Sequence, residues 1–224
     1  MPIQNFYVKY AYPLQVDFNW QSSKTWVSPY YVNSRFIHRS KEECGMILPY
    51  QGKKPRINGK ALVSKLATVV GNVGIGEGTS VFPGCVLRGD VDRITIGRYS
   101  NLQENVVVHC GDIYDGDVLK GYVPVEIGDY VTIGHGSIVH GCRIDDICLI
   151  GAGAIVFNNA RIGEGSIVGM GAVVLKDSKI PPRSVVVGIP AKPIREVDEA
   201  EYSKIKKHAI MYSDLAKSHR GTLF

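Results

Sequence analysis

The chain has 224 residues, of which 45% are hydrophobic, and its formal net charge is +5. This length suits one domain with extensions, and no apolar run approaches the roughly 18–20 residues that a membrane-spanning helix needs. The five cysteines are an odd number without paired spacing, which argues against a disulfide-rich scaffold and fits a reducing compartment.

The first 58 residues are predicted to form an N-terminal extension, or arm, that is rich in aromatic and basic residues. Eleven aromatic residues lie in positions 1–50, and residues 1–60 contain nine Lys or Arg against three Asp or Glu. Because disordered tails are poor in aromatics, we expect the arm to pack on its own oligomer or on a larger assembly. No recognised fold or basic helix accompanies the charge, which argues against a nucleic-acid partner. The predicted anchors are Tyr7, Tyr10, Trp20 and Trp26.

A six-residue repeat of aliphatic side chains runs through residues 59–194. One run contains Ile75, Val81 and Leu87, and a later run begins Ile144, Ile150 and Val156. This period fits neither a helix nor an ordinary alternating strand. It is typical of a β-helix with three repeats in each triangular coil. The predicted fold is therefore all-β, a left-handed parallel β-helix with coils over about residues 61–187.

Breaks in the repeat determine which residues lie above one another in neighbouring coils. Three extra residues (91–93) and a longer insertion (110–126) interrupt the period. When these are allowed for, three inward residues stack on one face in consecutive coils: Leu87, Val108 and Val139. The residues that follow them are Arg88, His109 and His140. Since neighbouring coils lie about 4.8 Å apart, His109 and His140 can share one metal ion.

The third histidine, His135, belongs to a different face, and roughly 16 Å of extended chain separates it from His140. Zinc-bound imidazole nitrogens lie about 2.0–2.1 Å from the metal, so one coil can hardly present all three. A cyclic trimer can, because the face with His109 then meets the neighbouring subunit's face with His135. The spacing predicts Zn²⁺ between subunits, and the alternative is that these histidines are ordinary surface residues. Cys110 and Cys142 neighbour two of them, but three histidines already complete a catalytic zinc site.

Several motifs together resemble the γ-class carbonic anhydrases, over roughly residues 55–218. They are Arg88-Gly89-Asp90, Asn101-Leu102-Gln103-Glu104-Asn105, His109, Gly134-His135-Gly136 and His140-Gly141-Cys142. The resemblance implies that His109, His135 and His140 bind zinc between the subunits of a trimer, which agrees with the stacking argument.

The resemblance also implies roles for residues around the metal. Arg88 and Asp90 would form a salt bridge across the trimer interface, and Gln103, with Asn101 nearby, would lie beside the zinc-bound solvent. Tyr212 would return to a zinc site from the C-terminal helix. Zinc lowers the pKa of bound water to about 7, so the implied reaction is attack of hydroxide on CO₂ to give bicarbonate, with Gln103 orienting the hydroxide.

Two departures from the most active members limit the implied turnover. Those enzymes carry the motif Arg-x-Asp-Glu, and this chain has Val91 at the position of the glutamate. One active-site glutamate is therefore missing. Their insertion carries a proton-transferring glutamate, whereas residues 110–126 contain none before Glu126. The remaining candidates for proton transfer are Asp112, Asp115 and Asp117. We therefore expect zinc binding with slow hydration of CO₂.

Residues 195–224 are predicted to form a C-terminal helix and tail, with the helix over about residues 197–218. Asp198 is a plausible N-cap, and one face carries an apolar stripe. The stripe consists of Ile205, Ala209, Tyr212, Leu215 and Ala216. Residues 212–219 resemble the mitochondrial members of the family, which are subunits of respiratory complex I.

Three functions from different classes remain open at this point. The first is a zinc-bearing complex I subunit on the matrix side of the inner mitochondrial membrane. It would form a homo- or heterotrimer with related subunits, and its arm would bind other membrane-arm subunits. The second is a free homotrimeric γ-carbonic anhydrase, with a cytoplasmic location as the alternative. The third is a hexapeptide-repeat acyltransferase without metal, in which a histidine is the general base.

Overall fold

The computed structural model describes residues 46–224, which form a parallel β-solenoid of about eight turns and one C-terminal helix. Most strands contain only two or three residues, because each six-residue repeat bends sharply at a corner of the prism. The strands are β1 (Met46–Leu48), β2 (Arg56–Ile57), β3 (Leu62–Val63), β4 (Thr68–Ile75), β5 (Ser80–Val81), β6 (Val86–Ile96), β7 (Asn101–Leu102), β8 (Val107–His109), β9 (Gly111–Asp115), β10 (Val118–Val123), β11 (Val125–Ile127), β12 (Thr132–Ile133), β13 (Ile138–His140), β14 (Arg143–Ile144), β15 (Leu149–Ile150), β16 (Ile155–Val156), β17 (Arg161–Ile162), β18 (Ile167–Val168), β19 (Val173–Val174), β20 (Lys179–Ile180), β21 (Ser184–Val187) and β22 (Lys192–Glu196), and the helix is α1 (Glu199–Ser218).

The strands stack into two main sheets that wrap the three faces of the prism. A twelve-stranded sheet covers two faces, because the long strands β4 and β6 continue around a corner. An eight-stranded sheet covers the remaining face and contains β3, β5, β7, β12, β15, β18, β21 and β22. The predicted left-handed parallel β-helix is therefore confirmed.

The repeat places its aliphatic residues in a continuous core. Leu87 pairs with Val108, and Val108 pairs with Val139, as the register predicted. All three side chains have no exposed surface. Each such burial contributes roughly 1.5–3 kcal/mol relative to an exposed side chain, so the periodic positions dominate the stability of the coils.

The two breaks in the repeat are accommodated differently. The three extra residues form a bulge in β6, where the pairing with β4 shifts between Gly71 and Val73. The longer insertion forms an antiparallel hairpin, β9 and β10, that projects from the coil directly after His109. Both breaks leave the following coils in the predicted register.

The ends of the solenoid differ from the predicted boundaries. Parallel pairing begins before residue 59, because β1 and β2 both pair with β4. Ile57 of β2 pairs with Ile75 and continues the six-residue period by one step, whereas β1 lies outside it. At the other end, β22 folds back antiparallel on β21, and the helix then runs over Glu199–Ser218, within two residues of the predicted range. No helix within residues 46–224 is long and apolar enough to cross a membrane. The arm anchors Tyr7, Tyr10, Trp20 and Trp26 lie outside the described residues.

The helix starts at the predicted cap and packs on the eight-stranded sheet. The Asp198 carboxylate accepts a hydrogen bond from the Glu201 backbone at 2.7 Å, and Glu201 accepts one from the Asp198 backbone at 3.2 Å. This capping box satisfies two backbone donors. Of the predicted stripe, Ile205, Ala209 and Ala216 are buried and Tyr212 is half-buried, whereas Leu215 is exposed. The helix contacts β5, β7 and β12.

Candidate metal centre

His109 and His140 lie side by side at the ends of β8 and β13, which pair in register. His109 Nδ1 lies 3.2 Å from His140 Nε2. Two imidazole nitrogens bound to one tetrahedral zinc ion lie about 3.3 Å apart, given zinc–nitrogen distances near 2.0–2.1 Å. The separation of the two donor atoms therefore fits a shared metal ion.

The other nitrogen of each ring is held by an oxygen acceptor. His109 Nε2 lies 3.1 Å from Asp90 Oδ1, and His140 Nδ1 lies 2.5 Å from Asn158 Oδ1. The His140 ring also stacks on Phe157, with the ring centroids 5.2 Å apart. Metal-binding histidines characteristically donate their second N–H to a carboxylate or carbonyl, which fixes the tautomer and the ring orientation. Both rings are thus oriented so that their free nitrogens face each other.

His135 shows the same arrangement on another face. It follows β12 in the eight-stranded sheet, and its Nδ1 lies 2.6 Å from Glu104 Oε2, which leaves Nε2 free. Its side chain is 56% exposed, against 15% for His109. Within residues 46–224 of one chain, no three His, Cys, Asp or Glu side chains cluster closely enough to hold a metal. A single chain therefore brings together two of the three predicted ligands and presents the third to solvent.

Burial of His109 favours the neutral imidazole that a metal requires. Burial lowers the pKa of His109, and the hydrogen bond to Asp90 offsets this only partly. Burial alone would raise the pKa of Asp90, but hydrogen bonds from Arg88 and His109 outweigh it and lower that pKa. Arg88 Nη1 lies 2.5 Å from Asp90 Oδ2 within the same chain. The predicted Arg88–Asp90 pair across a trimer interface stays a prediction.

The predicted catalytic residues gather on the same face as His135. Asn101 Nδ2 donates to Thr132 Oγ1 at 2.9 Å, and Gln103 Nε2 donates to Asn101 Oδ1 at 3.4 Å. Tyr212 reaches this group from α1: burial raises its pKa, and the neighbouring Gln103 amide partly offsets the rise. The structure therefore brings Asn101, Gln103 and Tyr212 together, and their catalytic roles stay predictions.

The three candidate proton-transfer residues lie on or beside the hairpin and are exposed. Asp115 Oδ2 lies 3.9 Å from Lys120 Nζ within the hairpin. Asp112 lines a cavity of about 240 Å³ together with Asn158, the residue that holds His140. The structure thus favours Asp112 over Asp115 and Asp117 as a group that could exchange protons near the centre.

The cysteines next to the histidines are buried. Burial raises the pKa of Cys110 to about 11 and that of Cys142 to about 12, so neither is a thiolate at neutral pH. Cys85 and Cys148 are buried in the core of the coils. The sequence reasoning assigned no role to Asn158 or Glu104. Glu104 lies in a motif that carried the resemblance, whereas nothing in the sequence marked Asn158.

Comparison with known proteins identifies close relatives, although no protein-family model matches the chain. A probable carbonic anhydrase of Methanocaldococcus jannaschii is 51% identical over 70% of this chain and 92% of its own length. The mitochondrial γ carbonic anhydrase 1 of Arabidopsis thaliana is 39% identical over 75% of this chain, which spans 60% of that protein. A carbonic anhydrase of Geobacillus kaustophilus is 41% identical over 72% of this chain and 84% of its own length.

Solved structures define the class of fold. A hexapeptide transferase family protein of Anaplasma phagocytophilum superposes with a TM-score of 0.71 at 33% identity, over 78% of this chain and 98% of its own. A Bacillus cereus protein named as an acetyltransferase gives 0.72 at 34% identity, over 79% and 98%. Fold and site thus define a left-handed β-helix protein of the hexapeptide-repeat class with a histidine centre. Within that class, the chain belongs to the γ-class carbonic anhydrase family.

Proposed function

We propose that this chain is a zinc-dependent γ-carbonic anhydrase that hydrates CO₂ reversibly as a cyclic trimer. The observation that carries the proposal is the paired geometry of His109 and His140. Their donor nitrogens lie 3.2 Å apart, and the other nitrogen of each ring is anchored. This arrangement supplies two zinc ligands with fixed orientation.

A trimer would complete the centre because the two halves lie on different faces of the prism. One half contains His109 and His140 in the twelve-stranded sheet, and the other contains His135 and Gln103 beside the eight-stranded sheet. Rotation about a three-fold axis places unlike faces of neighbouring subunits together. Each interface would then hold one complete set of three histidines.

The chemistry of the centre divides between the metal and the protein. A bound zinc ion supplies a nucleophile at neutral pH, because it lowers the pKa of water to about 7. Asp90 and Asn158 hold the ligand rings, and Gln103 would orient the attacking oxygen. Asp112 is the weak proton acceptor that remains in place of a glutamate, so proton transfer to bulk solvent limits the rate.

Slow hydration is the expected result of a stopped-flow assay on the zinc-loaded trimer at about pH 8, above the roughly neutral pKa of the zinc-activated water. Chelation should abolish the activity, and added zinc should restore it. A rate equal to that of a fast carbonic anhydrase would show that the missing glutamates do not limit turnover. Acyl transfer that survives chelation, without any hydration, would favour the metal-free acyltransferase instead.

We further propose that the trimer is part of mitochondrial complex I. The mitochondrial Arabidopsis relatives and residues 212–219 favour it, whereas the archaeal and bacterial carbonic anhydrases favour the free homotrimer. In this proposal the N-terminal arm makes the contacts with other complex I subunits on the matrix side. A test of complex I membership is therefore a test of the N-terminal arm.

Deletion of residues 1–45 tests this finer proposal, because those residues precede the first strand of the solenoid. The truncated chain should leave the large complex but keep its trimer and zinc. Native mass and metal content of the purified particle give the answer, with the full-length chain as the control. Loss of trimerisation would show that the arm belongs to the trimer itself, and a full-length particle with only the trimer mass would favour the free enzyme.

A further inference from the structure

A line of polar side chains connects Gln103 with helix α1. Gln103 Nε2 lies 3.4 Å from Asn101 Oδ1, and Asn101 Nδ2 lies 2.9 Å from Thr132 Oγ1. Thr132 Oγ1 in turn lies 3.3 Å from His208 Nδ1. Asn101, Gln103 and Thr132 are almost completely buried, so each depends on its protein partners for hydrogen bonds.

The protonation state of His208 determines which group donates and which accepts in each hydrogen bond of this line. A neutral imidazole whose Nδ1 carries no proton accepts a hydrogen bond from the Thr132 hydroxyl. The Thr132 oxygen then accepts from the Asn101 amide nitrogen, and the Asn101 oxygen accepts from the Gln103 amide nitrogen. Gln103 is left with Oε1 as its free acceptor. Burial lowers the pKa of His208, which favours the neutral ring that this direction requires.

His208 supports the same residue through a second contact. Its ring lies against Tyr212, one helical turn away, with the centroids 4.9 Å apart. Tyr212 is itself a neighbour of Gln103. Residues four apart on a helix share one face, so α1 presents both side chains to the Gln103 group. Removal of the imidazole would therefore remove two supports of Gln103: the hydrogen bond to Thr132 and the ring contact with Tyr212.

We propose that His208 is a positioning residue for CO₂ hydration, acting on Gln103 through Thr132 and Asn101. With its amide nitrogen donating to Asn101, Gln103 would present Oε1 to the attacking oxygen as an acceptor. Oε1 would accept a hydrogen bond from the O–H of the nucleophile, which leaves an oxygen lone pair for the carbon of CO₂. The inference rests on the proposed function, since Gln103 orients a nucleophile only in that reaction.

A proton-transfer role is the main rival for a half-buried histidine near an active site. The two roles affect different kinetic constants. Loss of orientation lowers kcat/KM, which reports the hydration step, and no buffer can restore it. Loss of a proton acceptor lowers kcat at low buffer concentration, spares kcat/KM, and is rescued by added imidazole.

The kinetic test compares His208→Leu with His208→Asn, whose amide oxygen can replace Nδ1 as the acceptor. His208→Leu should lower kcat/KM about tenfold, as expected for the loss of one orienting hydrogen bond, with no rescue by imidazole. His208→Asn should recover most of that loss. His219→Leu, the same side-chain change at the C-cap of the helix, should have no effect. Rescue of His208→Leu by imidazole, or equal loss in both His208 variants, would overturn the proposal.

A double-variant cycle tests whether His208 acts through Gln103. In a Gln103→Leu background, His208→Leu should lower kcat/KM no further, because the orientation is already lost. Additive losses would show that His208 acts independently of Gln103. If His208→Leu fails to fold, Thr132→Val removes the same link with almost no change of shape, and Thr132→Ser is its control.

A measurement that needs no activity separates failure of this inference from failure of the proposed function. Hydrogen exchange of the Asn101 and Gln103 side-chain amides can be followed by NMR in protein with labelled amide nitrogen. His208→Leu should accelerate this exchange at least severalfold, whereas His219→Leu should not. Unchanged exchange would overturn the positioning role even in an active enzyme. If His208→Leu accelerates exchange but the wild-type protein hydrates no CO₂, only the proposed reaction would be overturned.

Discussion

Two variants that each lack zinc should recover it when their chains are mixed. The first variant is His135→Ala, and the second is the double variant His109→Ala/His140→Ala. If each centre takes His109 and His140 from one subunit and His135 from the next, neither variant alone retains a complete site. In any mixed cyclic trimer, one interface joins the intact halves of the two variants. Each mixed trimer should therefore bind one zinc ion.

The experiment uses two affinity tags, co-expression and sequential purification, so that only mixed trimers are measured for zinc and protein. Each variant expressed alone is the control, and circular dichroism and native mass should show that both remain folded trimers. Full zinc content in His135→Ala alone would contradict a shared centre. Mixed trimers without zinc would contradict it too, because a shared centre requires complementation.

The regular part of this structure followed from the repeat alone. A period of six allows one inward residue on each face, so correct counting across the breaks placed His109 directly above His140. That prediction depended only on backbone register, which the stacked pairs Leu87–Val108 and Val108–Val139 obey. Sequence also indicated the helix cap at Asp198, because capping boxes depend on residues three positions apart.

Side-chain partners across coils did not follow from the repeat. Asn158 reaches His140 from the next coil, and its position depends on how the chain bends at Gly141. There φ is +51°, and an added Cβ would lie 2.6 Å from the Gly111 backbone. Strand β1 was also missed, because it joins the solenoid by backbone pairing with β4 and lies outside the six-residue period.

The line from His208 to Gln103 was missed for a similar reason. His208 lies in a helix and Thr132 in the eight-stranded sheet, and only the packing of α1 on that sheet brings them within hydrogen-bond distance. A helix stripe predicts which face is buried, but it does not predict which coil that face meets. The stripe with Ile205 and Ala209 therefore predicted which face of α1 is buried, but it did not predict which strands that face contacts.

The Asn158 anchor should control zinc affinity strongly although Asn158 touches no metal. Its side-chain oxygen lies 2.5 Å from His140 Nδ1, so it selects the tautomer whose Nε2 is free. Asn158→Leu removes this acceptor and should weaken zinc binding by about 10–100-fold, the usual effect of losing a partner of a ligating histidine. Competition with a chromophoric chelator measures the Kd.

Asn158→Asp is the matched control, because it keeps an oxygen in the same place with almost no change in size. Its affinity should equal or exceed that of the unaltered protein, since a carboxylate raises the basicity of the ligating nitrogen. Asn158 also packs against Gly111 at the base of the hairpin, so the leucine variant could displace β9. Equal weakening in both variants would assign the effect to the hydrogen-bond donors of the amide or to local packing. Weakening in the leucine variant alone, with the trimer intact, would assign it to the orientation of His140.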